Sequence, residues 1–189
     1  MTRSRTWIRI ACLTCVAVSA FSLGSFANQK TDNAPQFASE TIDLGMVVSD
    51  IDKSVKFYTD VLGFTEVTGF KIPPQFALDA GLANKQELDV HVLVLGTGAT
   101  ATKLKLMQFK AAPGAKIDNE FIHTSYGFRY LTIAVKDLNA SIEHAAKAGG
   151  KTIAKCPVPL PEGLPAGLGL ANYRDPDGNL VELVGPWKK

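Results

Sequence analysis

One seven-residue stretch occurs twice in this chain and decides its fold. The first copy reads Val48-Ser49-Asp50-Ile51-Asp52-Lys53-Ser54, and the second, 87 residues later, reads Val135-Lys136-Asp137-Leu138-Asn139-Ala140-Ser141. The same offset carries Gly63 onto Gly150. Self-similarity at a fixed spacing indicates that one structural unit is repeated. The chain is therefore predicted to contain two copies of a single module.

Each copy predicts a strand followed by a helix. Apolar, strand-like runs lie at Ile42–Val48 and Tyr130–Val135. Asp50 and Asp137 come next, where a carboxylate can accept the free amide hydrogens of a helix's first turn. Apolar residues then recur at helical spacing, and a glycine follows each run, as expected where a helix ends.

Three further strands complete each module. They are predicted at Thr65–Phe70, Leu88–Leu95 and Lys103–Phe109 in the first copy, and at Lys151–Ala154, Leu168–Tyr173 and Leu180–Val184 in the second. The last two are joined by Asp175-Pro176-Asp177-Gly178, a turn sequence. Between these strands, a short helix is expected at Phe76–Ala80, whereas the prolines that follow Cys156 exclude a helix or a central strand.

The first 27 residues have the layout of a secretory signal peptide. A basic start with three arginines precedes an apolar run, Ile10–Leu23, and Ser25-Phe26-Ala27 fits the small-x-small cleavage pattern. The run is shorter than the roughly 20 apolar residues of a membrane-spanning helix. We expect export to the periplasm or the extracellular space after cleavage near Ala27. A flexible tail over residues 28–40 should then precede one domain, residues 41–187, with modules at about 41–110 and 127–187.

Removal of the leader changes the charge of the chain. The full sequence has 20 Lys and Arg against 18 Asp and Glu, and three arginines leave with the leader. The mature chain then has 17 basic and 18 acidic residues, a net charge of −1. No basic block remains, so nucleic acid is not expected as a partner. Cys156 is the single cysteine left, so no internal disulfide is expected.

A β-α-β-β-β module that occurs twice resembles the vicinal oxygen chelate superfamily, which includes glyoxalase I, bleomycin-resistance proteins and extradiol dioxygenases. The resemblance is carried by Val48-Ser49-Asp50-Ile51-Asp52-Lys53-Ser54-Val55-Lys56-Phe57-Tyr58, Val61-Leu62-Gly63-Phe64 and Tyr173-Arg174-Asp175-Pro176-Asp177-Gly178-Asn179-Leu180-Val181-Glu182-Leu183. It implies an α+β fold in which two tandem modules form a cupped mixed sheet with helices on the outer face. It also implies a small-molecule ligand on the concave face and, because relatives often form one, a homodimer.

The resemblance also implies four positions for metal ligands, one on each of four strands. In metal-dependent members these are usually His, Glu or Gln, and here they fall at Asp43, Lys105, Tyr130 and Glu182. Glu182 keeps the pattern and Asp43 has a ligand oxygen. A protonated Tyr130 is a poor ligand, and Lys105 would have to lose its proton. With two of four positions substituted, we expect no metal cofactor, and a divalent metal is kept as the alternative.

Strand alternation gives an independent view of the same residues, because side chains alternate between the two faces of a sheet. An apolar face, expected under the helices, comprises Leu44, Met46, Val48, Leu104, Leu106, Leu131, Ile133, Val135, Val181 and Leu183. The opposite, mixed face comprises Asp43, Lys103, Lys105, Tyr130, Thr132 and Glu182. A mixed face over a cup is typical of a ligand site. His91, by the parity of its strand, is assigned to the same cup.

Three functions stay open at this point. The first is a metal-free binding protein of the bleomycin-resistance type, with Asp43, Lys105, Tyr130, Glu182 and His91 as its ligand-binding residues. In it, the Lys105 ammonium would replace the metal between the Asp43 and Glu182 carboxylates. The second is a metal-dependent lyase or dioxygenase that uses Glu182, Asp43 and His91. The third is a non-catalytic interaction module. No residue is assigned a catalytic role.

Overall fold

The computed structural model describes residues 37–188, which form two β-α-β-β-β modules. The predicted signal peptide and residues 28–36 of the predicted tail lie outside the described residues. The first module has β1 (Leu44–Val47), α1 (Ile51–Lys56), a π-helical turn (Phe57–Val61), β2 (Thr65–Ile72), α2 (Pro74–Asp79), β3 (Leu88–Val94) and β4 (Lys103–Met107). The second has β5 (Tyr130–Ala134), α3 (Leu138–Lys147), β6 (Val158–Pro159), β7 (Leu168–Arg174) and β8 (Leu180–Pro186).

Each module contributes one mixed, four-stranded sheet, and the predicted fold class is confirmed. The strand orders are β1-β4-β3-β2 and β5-β8-β7-β6, and both sheets are curved. In each, the first and last strands of the module run parallel, whereas the other neighbours are antiparallel. β1 and β5 are therefore outer strands. Among the described residues, no helix combines the length and apolar character needed to cross a membrane.

The two repeated aspartates begin their helices as predicted. The Lys53 amide donates to Asp50 Oδ1 at 3.1 Å, and the Ala140 amide donates to Asp137 Oδ1 at 3.0 Å. The first helix does not continue with regular geometry, because it changes after Lys56 into the π-helical turn. Such turns widen a helix locally. The repeat thus fixes where the helices start, while their lengths differ.

The strand predicted at Lys151–Ala154 is wrong. Ala154 has a left-handed backbone with φ of 54°, which a regular strand does not allow. The fourth strand of the second sheet is instead the short β6, within the proline-rich segment, where Val158 lies beside Leu170 of β7. β6 is an outer strand, so Pro159 can occupy it without loss of a ladder hydrogen bond on its free side.

The helices α1 and α3 cover the apolar faces of both sheets and enclose one core. The core contains the sheet face predicted by strand alternation together with the helix residues that pack on it, and its buried members are Val48, Tyr58, Val61, Phe64, Leu93, Leu104, Leu106, Ile133, Leu138, Ala145, Ala171, Tyr173, Val181 and Leu183. The short helix α2 is different, because Ala77 packs on the other side of β3, against Leu88, Val90 and Val92. Part of the first sheet is therefore covered on both faces.

A hydrogen bond between buried groups joins the two modules. The Tyr58 hydroxyl donates to Asp175 Oδ2 at 3.0 Å, and the two residues are only 0% and 5% exposed. Burial, and then the Asp175 carboxylate, raise the pKa of Tyr58, so the phenol keeps its proton. Burial also raises the pKa of Asp175, and the hydrogen bonds from Asn179 and Tyr58 oppose part of that rise. The contact attaches the π-helical turn that follows α1 to the β7–β8 turn.

Tyr58→Phe should test this contact, since it removes the hydroxyl and keeps the ring. The Asp175 carboxylate would lose one donor while buried, so we expect the free energy of unfolding to fall by about 1.5–3 kcal/mol. The matched control is Tyr130→Phe, where the ring is 51% exposed and a change within about 0.5 kcal/mol is expected. Urea denaturation at pH 7 measures both, and equal losses would contradict the role given to Tyr58.

Candidate functional site

The face of each sheet opposite α1 and α3, here called the open face, carries most of the predicted site residues. On the first sheet, Lys105 of β4 lies beside Gly45 of β1 and Val92 of β3. Gly45 contributes no side chain at this level. Asp43 precedes Gly45 by two residues and so belongs to the same face. Because Gly45 has no side chain, the Lys105 side chain can extend over β1 towards Asp43.

Lys105 and Asp43 form an ion pair on this open face. The Lys105 Nζ atom lies 2.9 Å from Asp43 Oδ2, and the two side chains are 33% and 34% exposed. The hydrogen bond from Lys105 holds the pKa of Asp43 below its usual value, and the charge of Lys103 adds to the effect. The expected contact between the ammonium and this carboxylate is thus present, in a setting that water still reaches.

On the second sheet, three polar side chains lie at one level across three strands. Thr132 of β5 lies beside Glu182 of β8, which lies beside Asn172 of β7. The Thr132 hydroxyl donates to Glu182 Oε2 at 2.8 Å. Asn172 Oδ1 is buried and accepts no hydrogen bond within residues 37–188. We call Thr132, Glu182 and Asn172 the polar row.

Asn172 was not predicted from the sequence. A signal was nonetheless available, because Asn172 has the parity of Leu168 and Leu170 and is the first polar side chain along this face of β7. Tyr130 is two residues before Thr132, so it belongs to the open face, where its ring is half exposed.

Two expectations for this face do not hold. Within the described residues, Lys105 makes no ion pair with Glu182, whose carboxylate binds Thr132 instead. The two residues belong to different sheets, and alternation along a strand does not fix how two sheets lie together. The assignment of His91 to the cup is also wrong. His91 lies beside Leu106 on the core-face side of the first sheet, and its Nδ1 is 2.8 Å from Glu66 Oε1.

Comparison with known families identifies the fold's relatives. The family model described as "Glyoxalase/Bleomycin resistance protein/Dioxygenase superfamily" matches residues 41–183. The chain belongs to this superfamily. A search of curated proteins found no significant match.

Solved structures of superfamily members share the fold at low sequence identity. A glyoxalase family protein from Bacillus cereus is 16% identical over 82% of this chain and 99% of its own, with a TM-score of 0.63. A glyoxylase/bleomycin resistance protein/dioxygenase domain from Frankia is 17% identical over 81% and 93%, with a TM-score of 0.54. A glyoxalase I mutant from Zea mays is 22% identical over 75% of this chain and 43% of its own, with a TM-score of 0.55.

The residues at the superfamily's four ligand positions do not fit a divalent metal. They are Asp43, just before β1, and Lys105, Tyr130 and Glu182, on β4, β5 and β8. The Asp43 carboxylate already contacts an ammonium, and a cation placed beside Lys105 would be repelled by it. Glu182 is the one position with both a usual ligand type and a free carboxylate oxygen. No chemical step through a metal follows from this set of side chains.

Lys105→Ala should raise the pKa of Asp43 towards its usual value. A carboxyl whose pKa is lowered by folding stabilises the fold above its usual pKa, and that stability is lost as the pH falls through the lowered value. The free energy of unfolding of the variant should therefore depend less on pH in the acid range. At pH 7 we expect a loss of at most about 1 kcal/mol, because the pair is partly exposed to water.

A carbon-detected NMR titration of the Asp43 carboxyl measures this change. Lys103→Ala is the control and should have the smaller effect, because the Lys103 charge contributes less than the Lys105 hydrogen bond. A pKa of Asp43 that responds more to Lys103→Ala than to Lys105→Ala would rule out the pairing.

Proposed function

We propose that this chain binds a small organic molecule on its open faces without a metal. The observation that carries the proposal is the ion pair of Lys105 with Asp43. The ammonium supplies a positive charge beside a carboxylate at positions where metal-dependent members of the superfamily bind their metal. Charges that are partly removed from water persist when they are paired and hydrogen-bonded. The first module is thus self-consistent without a metal.

The polar row suggests which groups the ligand carries. Glu182 has one carboxylate oxygen beyond the bond from Thr132, and Asn172 Oδ1 has no donor among the described residues. A ligand that supplies an N–H or O–H group would therefore gain a hydrogen bond at the free Glu182 oxygen, and a small movement of the buried Asn172 side chain would add a second acceptor. Apolar side chains surround the row on the open face, at Leu170, Leu180 and Val184. The proposed ligand therefore has hydrogen-bond donors on an apolar body.

A homodimer of the exported, mature chain is part of this proposal. β1 and β5 are outer strands, and an unpaired strand edge favours association with another chain. Tyr126 and Phe128, just before β5, are almost fully exposed, and soluble monomers rarely leave such rings together in water. A second copy that covers these edges would bring the Asp43–Lys105 pair of one chain towards a polar row. Export after cleavage near Ala27 rests on the leader sequence described above.

Native mass spectrometry of the mature protein tests the metal and the dimer together. The expected mass is that of two chains that start near Asn28, without metal after dialysis. Stoichiometric retained zinc, nickel, manganese or iron would instead support a metal-dependent lyase or dioxygenase. A monomer would contradict the dimer and leave the measurement of metal content unaffected.

Binding to the polar row can be measured by NMR with small probes. We expect millimolar ethanolamine, acetamide or benzylamine to shift the amide signals of Thr132 and Asn172, and Glu182→Ala to abolish the shifts. The control Lys151→Ala changes an exposed lysine outside the open face and should leave them intact. Equal shifts in Glu182→Ala would contradict the role of the row. Absence of any shift with the donor probes would favour a non-catalytic interaction module.

A further inference from the structure

A separate cavity lies at the carboxyl ends of β1 and β4. Its volume is about 590 Å³, within the range of small-molecule sites. The walls are the ends of the two strands, residues 110–117 that follow β4, and the β7–β8 turn. Apolar surface comes from Val47, Phe109, Pro113 and Ile117. None of Asp43, Lys105 or the polar row contributes to these walls.

Most polar groups in the walls are already hydrogen-bonded within the chain. Both carboxylate oxygens of Asp177 accept from the Ser49 amide, at 3.1 and 3.3 Å. The Gln108 amide donates to the Ser49 carbonyl, and the Asn119 amide donates to Asn179 Oδ1 at 3.2 Å. The single carboxylate of the cavity therefore faces a donor from the chain itself. These groups hold the walls together and have little capacity left for a ligand.

The exceptions are the two lysines of the segment that follows β4. Lys110 and Lys116 line the cavity and are exposed, and neither is in a salt bridge among residues 37–188. The walls carry these two ammonium groups and the one carboxylate of Asp177, so their net charge is +1. Two ammonium groups over an apolar floor attract an anion with an apolar body.

The wall that carries these lysines is fixed at its far end. The Arg174 guanidinium donates to the carbonyl oxygens of Asn119 and Glu120 and, at 2.7 Å, to that of Gly178. One side chain thus holds the segment after Lys116 against the β7–β8 turn. A preformed wall lowers the entropy lost when a ligand binds.

We propose that this cavity binds a small organic anion, with its apolar body against Val47, Phe109 and Ile117 and its carboxylate or sulfonate between Lys110 and Lys116. The site is additional to the open-face site proposed above, and it does not depend on that function. The two sites differ in the ligand groups that they would bind. The polar row would bind hydrogen-bond donors, whereas the cavity would bind an anionic acceptor.

Two fluorescent probes that differ in charge test this proposal on the mature protein. 8-Anilinonaphthalene-1-sulfonate carries a sulfonate, whereas N-phenyl-1-naphthylamine has the same apolar body without it. We expect the sulfonate probe to bind at one site per chain. The double variant Lys110→Ala/Lys116→Ala should weaken it by about tenfold, since it removes two charge-assisted contacts. The neutral probe should change by less than about twofold in the same variant, since it lacks the charge.

Two further variants show where the probe binds. Lys136→Ala/Lys151→Ala removes two exposed lysines elsewhere and should leave sulfonate binding unchanged. Ala115→Trp places a large ring in the cavity and should displace both probes, while near-ultraviolet circular dichroism confirms a native fold. Equal weakening by the two lysine pairs would overturn the proposal, because it would show only a general effect of charge. Sulfonate binding that survives Ala115→Trp in folded protein would also overturn it.

Discussion

The attachment of one module to the other depends on the need of the buried Asp175 carboxylate for hydrogen-bond donors. A buried carboxylate is tolerated only when donors surround it. Asp175 receives the amides of Asp177 and Asn179 at 3.0 and 2.7 Å and the Asn179 side chain at 2.8 Å, all from its own turn. The Tyr58 hydroxyl is the donor that comes from the other module. The electrostatic need of one side chain therefore fixes the turn and ties it to the π-helical turn after α1.

The position of this turn shapes the surface beyond it. Because Asp175 fixes the backbone, Asp177 extends towards the end of β1 and accepts from the Ser49 amide. This contact joins the first module to the turn at a second place, and within that module the Gln108 side chain donates to the Ser49 carbonyl. The cavity with the two free lysines lies between these contacts. A structural hydrogen bond at one end of the turn thus helps to determine the wall of a cavity at the other.

The sequence predicted those features that depend on local physics. Asp50 and Asp137 are helix caps because a carboxylate at that place satisfies free amides, and the apolar face was correct because alternation follows from strand geometry. His91 was assigned to the wrong face because alternation along β3 alone does not tell which face packs on the core; its neighbour Leu106 and the buried Leu93 place it on the core face. The distance between Lys105 and Glu182 could not be predicted, since it depends on how two separate sheets pack. Asn172 was missed because a single polar residue in an apolar strand has no motif.

The repeat also explains why the two open faces differ in chemistry. The offset of 87 residues places Gly45 at the position of Thr132, and Asp43 at that of Tyr130. In the second module, Thr132 lies beside Glu182 and donates to it. In the first module, Gly45 lies beside Lys105 and has no side chain to offer, so the lysine pairs with Asp43 instead. The same backbone register therefore yields an ion pair in the first module and the polar row in the second. A ligand that spanned both would meet a neutralised charge pair at one end and the free acceptor oxygens of the row at the other.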